Sequence, residues 1–243
     1  MIKGIIFDLG STLLRFEGDW ESIKREGAEI MAEWYFKKKR IKLDGPALVE
    51  AFLAQRTADW ARAQKTQNEI VVQESLRQAL QQIEAPDRAE TLLEAAVKIC
   101  FGPEEVRWHP YPDTIETLKQ LKAQDYRMGL YSNATDDALI QRMVNQSKIR
   151  PWLSPTFSSA GCGWRKPRPD GFALIAARWG LPANQIVVVG DTLEADVLGA
   201  QNAGMHSILV TMDENLANDD HRDIEPTAVA ESLSQIPEIV AQL

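Results

Sequence analysis

Cysteine is nearly missing from this chain. Its two residues of that type, Cys100 and Cys162, lie far apart and lack metal-type spacing, so they offer neither a disulfide framework nor a zinc site. Idle or buried thiols in a reducing cytoplasm are the expectation. A surplus of positive charge is missing too: 27 Lys plus Arg face 35 Asp plus Glu, for a formal charge of -8. Nucleic-acid binders draw much of their affinity from neutralising phosphates, so no nucleic-acid partner is expected. No run approaches the ~18 to 20 apolar residues that cross a bilayer, and no membrane partner is expected. The start, Met1 to Phe7, is apolar for only a few residues before Asp8, unlike a signal peptide. Internal repeats and low-complexity tracts are also absent.

What is present has the balance of a folded soluble protein, with 26% charged and 44% apolar residues over a length of 243 that suits one or two domains. Short apolar runs ending in polar or small residues read as strands: Ile5 to Phe7, Met128 to Tyr131, Ile186 to Val189 and Ser207 to Val210, with Thr156 to Ser158 a weaker case. Unbroken runs of this kind suit a parallel sheet covered on both faces. Helices alternate with them. Asp113 and Asp136 are placed to cap two, and Pro169-Asp170 opens a third that ends at Gly180. The alternation predicts a doubly wound, Rossmann-like α/β fold.

Residues 16 to 106 break the pattern and read as helices alone. Trp20, Ile23, Ile30, Met31 and Trp34 share one predicted face, and Lys37 to Arg40 close that helix. Gly45-Pro46 restarts the chain, and further amphipathic segments cover Glu69 to Ile83 and Asp87 to Phe101. The predicted organisation is an α/β core from 1–15 and 107–243, with an all-helical insertion at 16–106.

In an open parallel sheet, ligands bind beyond the carboxyl ends of the strands. Polar residues recur there: Asp8 after the first strand, Ser132-Asn133 after the second and Asp191 after the fourth. Lys166, between a strand and a helix, can reach the same crevice. Two carboxylates, a lysine and two small polar groups suit a divalent cation with a phosphate, and oxygen ligands favour Mg²⁺.

These residues carry a resemblance. Phe7-Asp8-Leu9-Gly10-Ser11-Thr12, Ser132-Asn133, Lys166-Pro167-Arg168-Pro169 and Gly190-Asp191-Thr192-Leu193-Glu194-Ala195-Asp196 are similar, in order and spacing, to the four motifs of the haloacid dehalogenase-like hydrolases. Gly199 to Gly204 extends the fourth, and the helical insertion matches the position of that family's C1-type cap. The resemblance implies a Mg²⁺-dependent phosphatase of a small phosphorylated metabolite, acting through an aspartyl-phosphate. It implies that Asp8 is the nucleophile and Lys166 the neutralising cation. Ser132 and Asn133 would bind the phosphoryl group, and Asp8, the Gly10 carbonyl and Asp191 the metal. Asp196 would support them, and the cap would close over the crevice.

One position departs from the phosphatase pattern. Gly10 stands where family phosphatases usually carry a second Asp that donates a proton to the leaving group, a role typically worth ~10² to 10⁴ in rate. Glu17, Asp19 and a cap carboxylate are the candidate replacements. Gly10 also leaves open a 2-haloacid dehalogenase that forms an aspartyl ester without metal, or a degenerate fold kept for binding. Outside these motifs, His109 reads as structural or exposed, the aromatic residues at 20, 34, 35 and 60 as packing, and Glu194 and the acidic stretch Asp213 to Asp223 as solvent-facing. Substrate identity stays open, as does the choice between monomer and homodimer.

Overall fold

The computed structural model of the chain describes residues 1–213 and 215–243. Among the described residues, eight strands run in the order β1 (Gly4–Phe7), β2 (Leu14–Phe16), β3 (Trp108–Pro110), β4 (Arg127–Ser132), β5 (Thr156–Ser158), β6 (Ile186–Gly190), β7 (His206–Val210) and β8 (Ala228–Ala230). Six of them form one sheet, ordered β5-β4-β1-β6-β7-β8, in which every pair is parallel; β2 and β3 form a separate two-stranded ribbon. The chain divides into two compact units, one of Met1–Phe16 with His109–Leu243 and the other of Glu17–Trp108.

The first unit is the α/β fold expected from the strand runs. Around its sheet lie α6 (Thr114–Ala123), α7 (Asp137–Gln146), α8 (Ser159–Cys162), α9 (Asp170–Trp179), α10 (Gly199–Asn202) and α11 (Ile236–Gln242); α1 to α5 belong to the second unit. Strands β1 and β6 are buried along their whole length, as unbroken apolar runs covered on both faces must be. One side of the sheet packs Ile6, Tyr131, Ile186 and Val188 with Phe172 and Ile175 of α9. Fully burying each such side chain stabilises the fold by about 1.5 to 3 kcal/mol. Asp136 caps α7 by accepting from the Leu139 N–H at 2.9 Å, as its position predicts. Asp113 precedes α6, but its carboxylate accepts from the Ser234 N–H at 2.9 Å, in the distant 3₁₀ segment Leu233–Gln235, rather than capping its own helix. Strand β8 and helix α11 went unread in the sequence.

Register and topology together define one edge. Phe7 stands opposite both Leu130 and Val189, so Asp8, Ser132 and Asp191 leave β1, β4 and β6 within two residues of a common line. The chain also reverses its direction of growth at β1, placing β4 and β5 on one side and β6 to β8 on the other. That reversal opens a crevice at the carboxyl ends.

The second unit is helical: α1 (Trp20–Lys37), α2 (Gly45–Thr66), α3 (Val72–Gln82), α4 (Leu93–Cys100) and α5 (Gly102–Glu105), with a 3₁₀ segment at Asp87–Leu92. Asp19 and Asp44 cap α1 and α2, accepting from Ser22 N–H at 2.8 Å and Ala47 N–H at 3.0 Å. The buried face of α1 is Ile23, Gly27, Ala28, Met31, Ala32 and Tyr35. This corrects the face expected from the sequence: Trp20 and Ile30 are exposed, at 38% and 39%. The reason is a close approach. A side chain at Gly27 would strike the carbonyl of Cys100 on α4, so the helix turns its glycine face to that neighbour and leaves Trp20 and Ile30 off it. Among the described residues, no helix is long and apolar enough to cross a membrane.

Candidate active site

The loop after β1 is built by a tight turn. Leu13 and Leu14 N–H groups both donate to the Leu9 carbonyl at 2.9 Å, and Ser11 N–H donates to the Leu14 carbonyl at 2.7 Å. Ser11 takes a left-handed φ of 56°, a conformation that costs a side-chain-bearing residue about 1 kcal/mol. Asp8 is anchored by its own N–H to the Val189 carbonyl at 2.9 Å, and its residue is 8% exposed.

Lys166 is the centre of the arrangement. Its Nζ donates to Asp8 Oδ1 and to Asp196 Oδ1, both at 2.6 Å, and the residue is 3% exposed. Its main chain is held on both sides by one amide: Asn133 Oδ1 accepts from Lys166 N–H at 2.9 Å, and Asn133 Nδ2 donates to the Lys166 carbonyl at 3.1 Å. Tyr131 adds a ring whose centroid lies 5.9 Å from Nζ, and its hydroxyl ties the Trp164 carbonyl at 2.6 Å. Asp196 is fixed by its second oxygen, which accepts from Thr192 N–H at 3.1 Å. A side chain at Gly190 would collide with the Asp196 carboxyl group, so the last residue of β6 can only be glycine in this packing.

Asp191 completes the group. Oxygen atoms of Asp8, Asp191 and Asp196 lie within 4.8 Å of one another. Thr12 donates to Asp191 Oδ1 at 3.2 Å, and Asn215 Nδ2 donates to Oδ2 at 2.7 Å. Ser132 is buried at the end of β4.

The electrostatics follow from crowding. Burial works against charge on Lys166, yet the facing carboxylates of Asp196 and Asp8 outweigh it and hold the ammonium pKa above the ordinary lysine value. Desolvation, followed by repulsion from Asp196 and Asp8, pushes Asp191 up to about 7. Desolvation also raises Asp196 to about 6, against the pull of Lys166. Three carboxylates thus share one ammonium, and hard oxygen donors with surplus negative charge fit a divalent cation such as Mg²⁺.

The structure brings Asp8, Asn133, Lys166, Asp191 and Asp196 into this cluster, with Ser132 at the adjoining strand end. His109 is exposed, and Asp19 is committed to capping α1. Within the acidic stretch at 213–223, Asp213, Asp219, Asp220 and Asp223 are exposed, as expected, while neutral residues among them turn toward the site; Glu214 lies outside the described residues. Tyr111 donates its hydroxyl to Asp213, and Asn218 bridges the Asp191 carbonyl at 2.9 Å and the Leu193 N–H at 2.7 Å. Thr12, Asn215 and Asn218 were missed as site residues. Thr12 lay inside a quoted motif, while the only sequence signal for Asn215 is that of a capping residue.

The family model for haloacid dehalogenase-like hydrolases matches residues 2–204. The chain belongs to that family. Among characterised relatives, glyceraldehyde 3-phosphate phosphatase of Methanothermobacter thermautotrophicus is 32% identical over 133 residues, covering 54% of this chain and 58% of that protein. The match thus spans little over half of that relative's length. The enzyme of the same name from Methanocaldococcus jannaschii is 23% identical over 250 residues, covering 100% and 99%. The structure of a 2-haloacid dehalogenase from Pseudomonas syringae pv. tomato superposes with a TM-score of 0.74 at 24% identity, covering 100% of this chain and 99% of that one. That likeness establishes the shared fold of this hydrolase.

Proposed function

We propose that this hydrolase is a Mg²⁺-dependent phosphatase of a small phosphorylated metabolite, working through an aspartyl-phosphate on Asp8. The observation that carries the reading is the buried contact of Lys166 with Asp8 and Asp196 at 2.6 Å, within a cluster that Asp191 completes. The phosphatase names of the two archaeal relatives support the substrate class.

In this scheme Asp8 attacks phosphorus with the oxygen that Lys166 does not hold. The bond from phosphorus to the leaving oxygen breaks, and water then hydrolyses the acyl phosphate to restore the carboxylate. Lys166 neutralises charge on the nucleophile and on the transferring group, and it arrives already oriented, so no reorganisation is needed as charge develops. Ser132 offers a hydroxyl to a phosphoryl oxygen. Asn133 serves by fixing the main chain of Lys166. Asp8, the Gly10 carbonyl and Asp191 would hold Mg²⁺, which supplies positive charge to the phosphoryl oxygens. Asp196 aims Lys166. Gly10 brings no proton donor, which favours substrates whose leaving group departs with little help.

Gly10 is also the observation behind a second reading, a dehalogenase in which Asp8 attacks carbon and halide leaves without a proton. The surplus of carboxylates around Asp191 weighs against it, because that chemistry needs no cation. A direct assay separates the two. Phosphate release from p-nitrophenyl phosphate is expected in Mg²⁺, lost with EDTA and abolished in Asp8→Asn. Halide release from a short 2-haloacid in EDTA, with no phosphate release in Mg²⁺, would overturn the proposal.

A further inference from the structure

Asn215 lies beyond the end of β7, outside the four motif segments, yet its side chain reaches the candidate cation ligand. Its Nδ2 donates to Asp191 Oδ2 at 2.7 Å and lies 3.3 Å from Thr192 Oγ1. Its Oδ1 accepts from Ala217 N–H at 3.1 Å, capping the 3₁₀ segment Leu216–His221. Asn218, one turn on, holds the main chain of the same loop: its Nδ2 donates to the Asp191 carbonyl at 2.9 Å, and its Oδ1 accepts from Leu193 N–H at 2.7 Å. One amide therefore orients the carboxylate while a second fixes the peptide that carries it. Thr12, on the opposite oxygen at 3.2 Å, and the Thr192 hydroxyl, on Oδ2 at 3.5 Å, are further neutral donors to Asp191.

Neutral donors suit this position. A cationic partner would cancel the negative charge that a divalent ion requires, and an acidic one would add to repulsion already raised by Asp8 and Asp196. An amide donor sets the rotation of the carboxylate and leaves its charge in place. Groups that orient a ligand in this way typically contribute 10- to 100-fold in metal affinity.

We infer that Asn215 is a positioning residue for Asp191, buttressed by Asn218, and that cation binding at Asp8 and Asp191 is thereby tied to the segment at 215–221. The inference rests on the cation reading proposed above, and the test keeps the two apart. The melting temperature of the intact protein is followed against Mg²⁺ concentration for wild type, Asn215→Ala, Asn218→Ala and Asp219→Ala. Ligands that bind only the folded state raise Tm with a midpoint set by their affinity. Asp219→Ala loosens the same segment by removing its exposed pair with Arg222 at 2.7 Å, without touching Asp191.

The expected result is a midpoint about 10- to 100-fold higher in Asn215→Ala. A shift in the same direction is expected for Asn218→Ala, and the wild-type midpoint for Asp219→Ala. A purely structural role would lower the metal-free Tm of Asn215→Ala and leave its Mg²⁺ midpoint unmoved, which overturns the inference alone. A wild type whose Tm ignores Mg²⁺ overturns the cation reading and this inference with it.

Discussion

Two buried acidic clusters, one in each unit, show how differently a fold can treat a carboxylate. In the helical unit, Asp59 on α2 is 4% exposed. Its Oδ1 accepts from Gln55 at 3.0 Å and Arg62 at 2.9 Å, and its Oδ2 from Ser75 on α3 at 2.8 Å. One negative charge meets three donors, one of them cationic, and the arrangement joins two helices. In the α/β unit, Lys166 pairs with two carboxylates, Asp8 and Asp196, and a third, Asp191, lies beside them. The first cluster is what stability selects, since buried polar groups are tolerated when each finds its partner. The second keeps like charges together against their repulsion, and such arrangements concentrate where chemistry requires them.

Removing the shared cation breaks the contrast most severely. Lys166→Met leaves three facing carboxylates with no ammonium, and phosphate release should fall by about 10³-fold or more. Loss of one partner from a buried charge pair typically costs about 3 to 5 kcal/mol, so urea unfolding should also shift. Both are measured on the same preparation, and turnover within tenfold of wild type would deny Lys166 its assigned role.

The matching substitution in the other cluster should separate stability from turnover. Asp59→Ala leaves Ser75 and Gln55 without their acceptor beneath α2 and α3, a loss of about 1 to 3 kcal/mol. Turnover per folded molecule should stay at the wild-type value. A fall in kcat without a fall in stability would show that this carboxylate is not merely structural.

The clusters were unequally legible in the sequence. Asp8 and Asp191 could be read because a parallel sheet forces strand-end residues to one edge, and the strand runs were plain; Lys166, in the connection between β5 and α9, was read from its resemblance to a family motif. Asp196 was read from the resemblance of Gly190 to Asp196 to the family's fourth motif. Asn215 and Asn218 could not be read, since what brings them to Asp191 is the path of a loop, and loop paths leave no periodicity. Asp59 lay hidden for another reason: on a helix, a buried acid and an exposed one carry the same spacing signal until the neighbouring helix is in place. The face of α1 misled because apolar size suggested Trp20 and Ile30, whereas the buried face centres on Gly27 at its close approach to α4, with Ile23, Met31 and Tyr35 on the same side.

The smallest expected effect is also the most direct gauge of like-charge repulsion. Asp191 is pushed from 3.8 up to about 7 by desolvation and by its acidic neighbours. Without metal, the folded chain therefore retains a proton that the unfolded chain has already released across the window from about pH 4 to 7. The folded state binds more protons there, so this contribution to stability is complete below that window and is lost as pH rises through it. Asp191→Asn carries no such proton, and its stability should decline less steeply. The difference between the two chains is expected to be on the order of 1 kcal/mol between pH 5 and 7, read from urea midpoints in EDTA. Saturating Mg²⁺ should flatten the wild-type profile, since a cation lowers the pKa of the carboxylates it binds. Parallel profiles for both chains in EDTA would mean that the α/β cluster disperses its charge as completely as Asp59 does, and the contrast between the two units would then reduce to geometry.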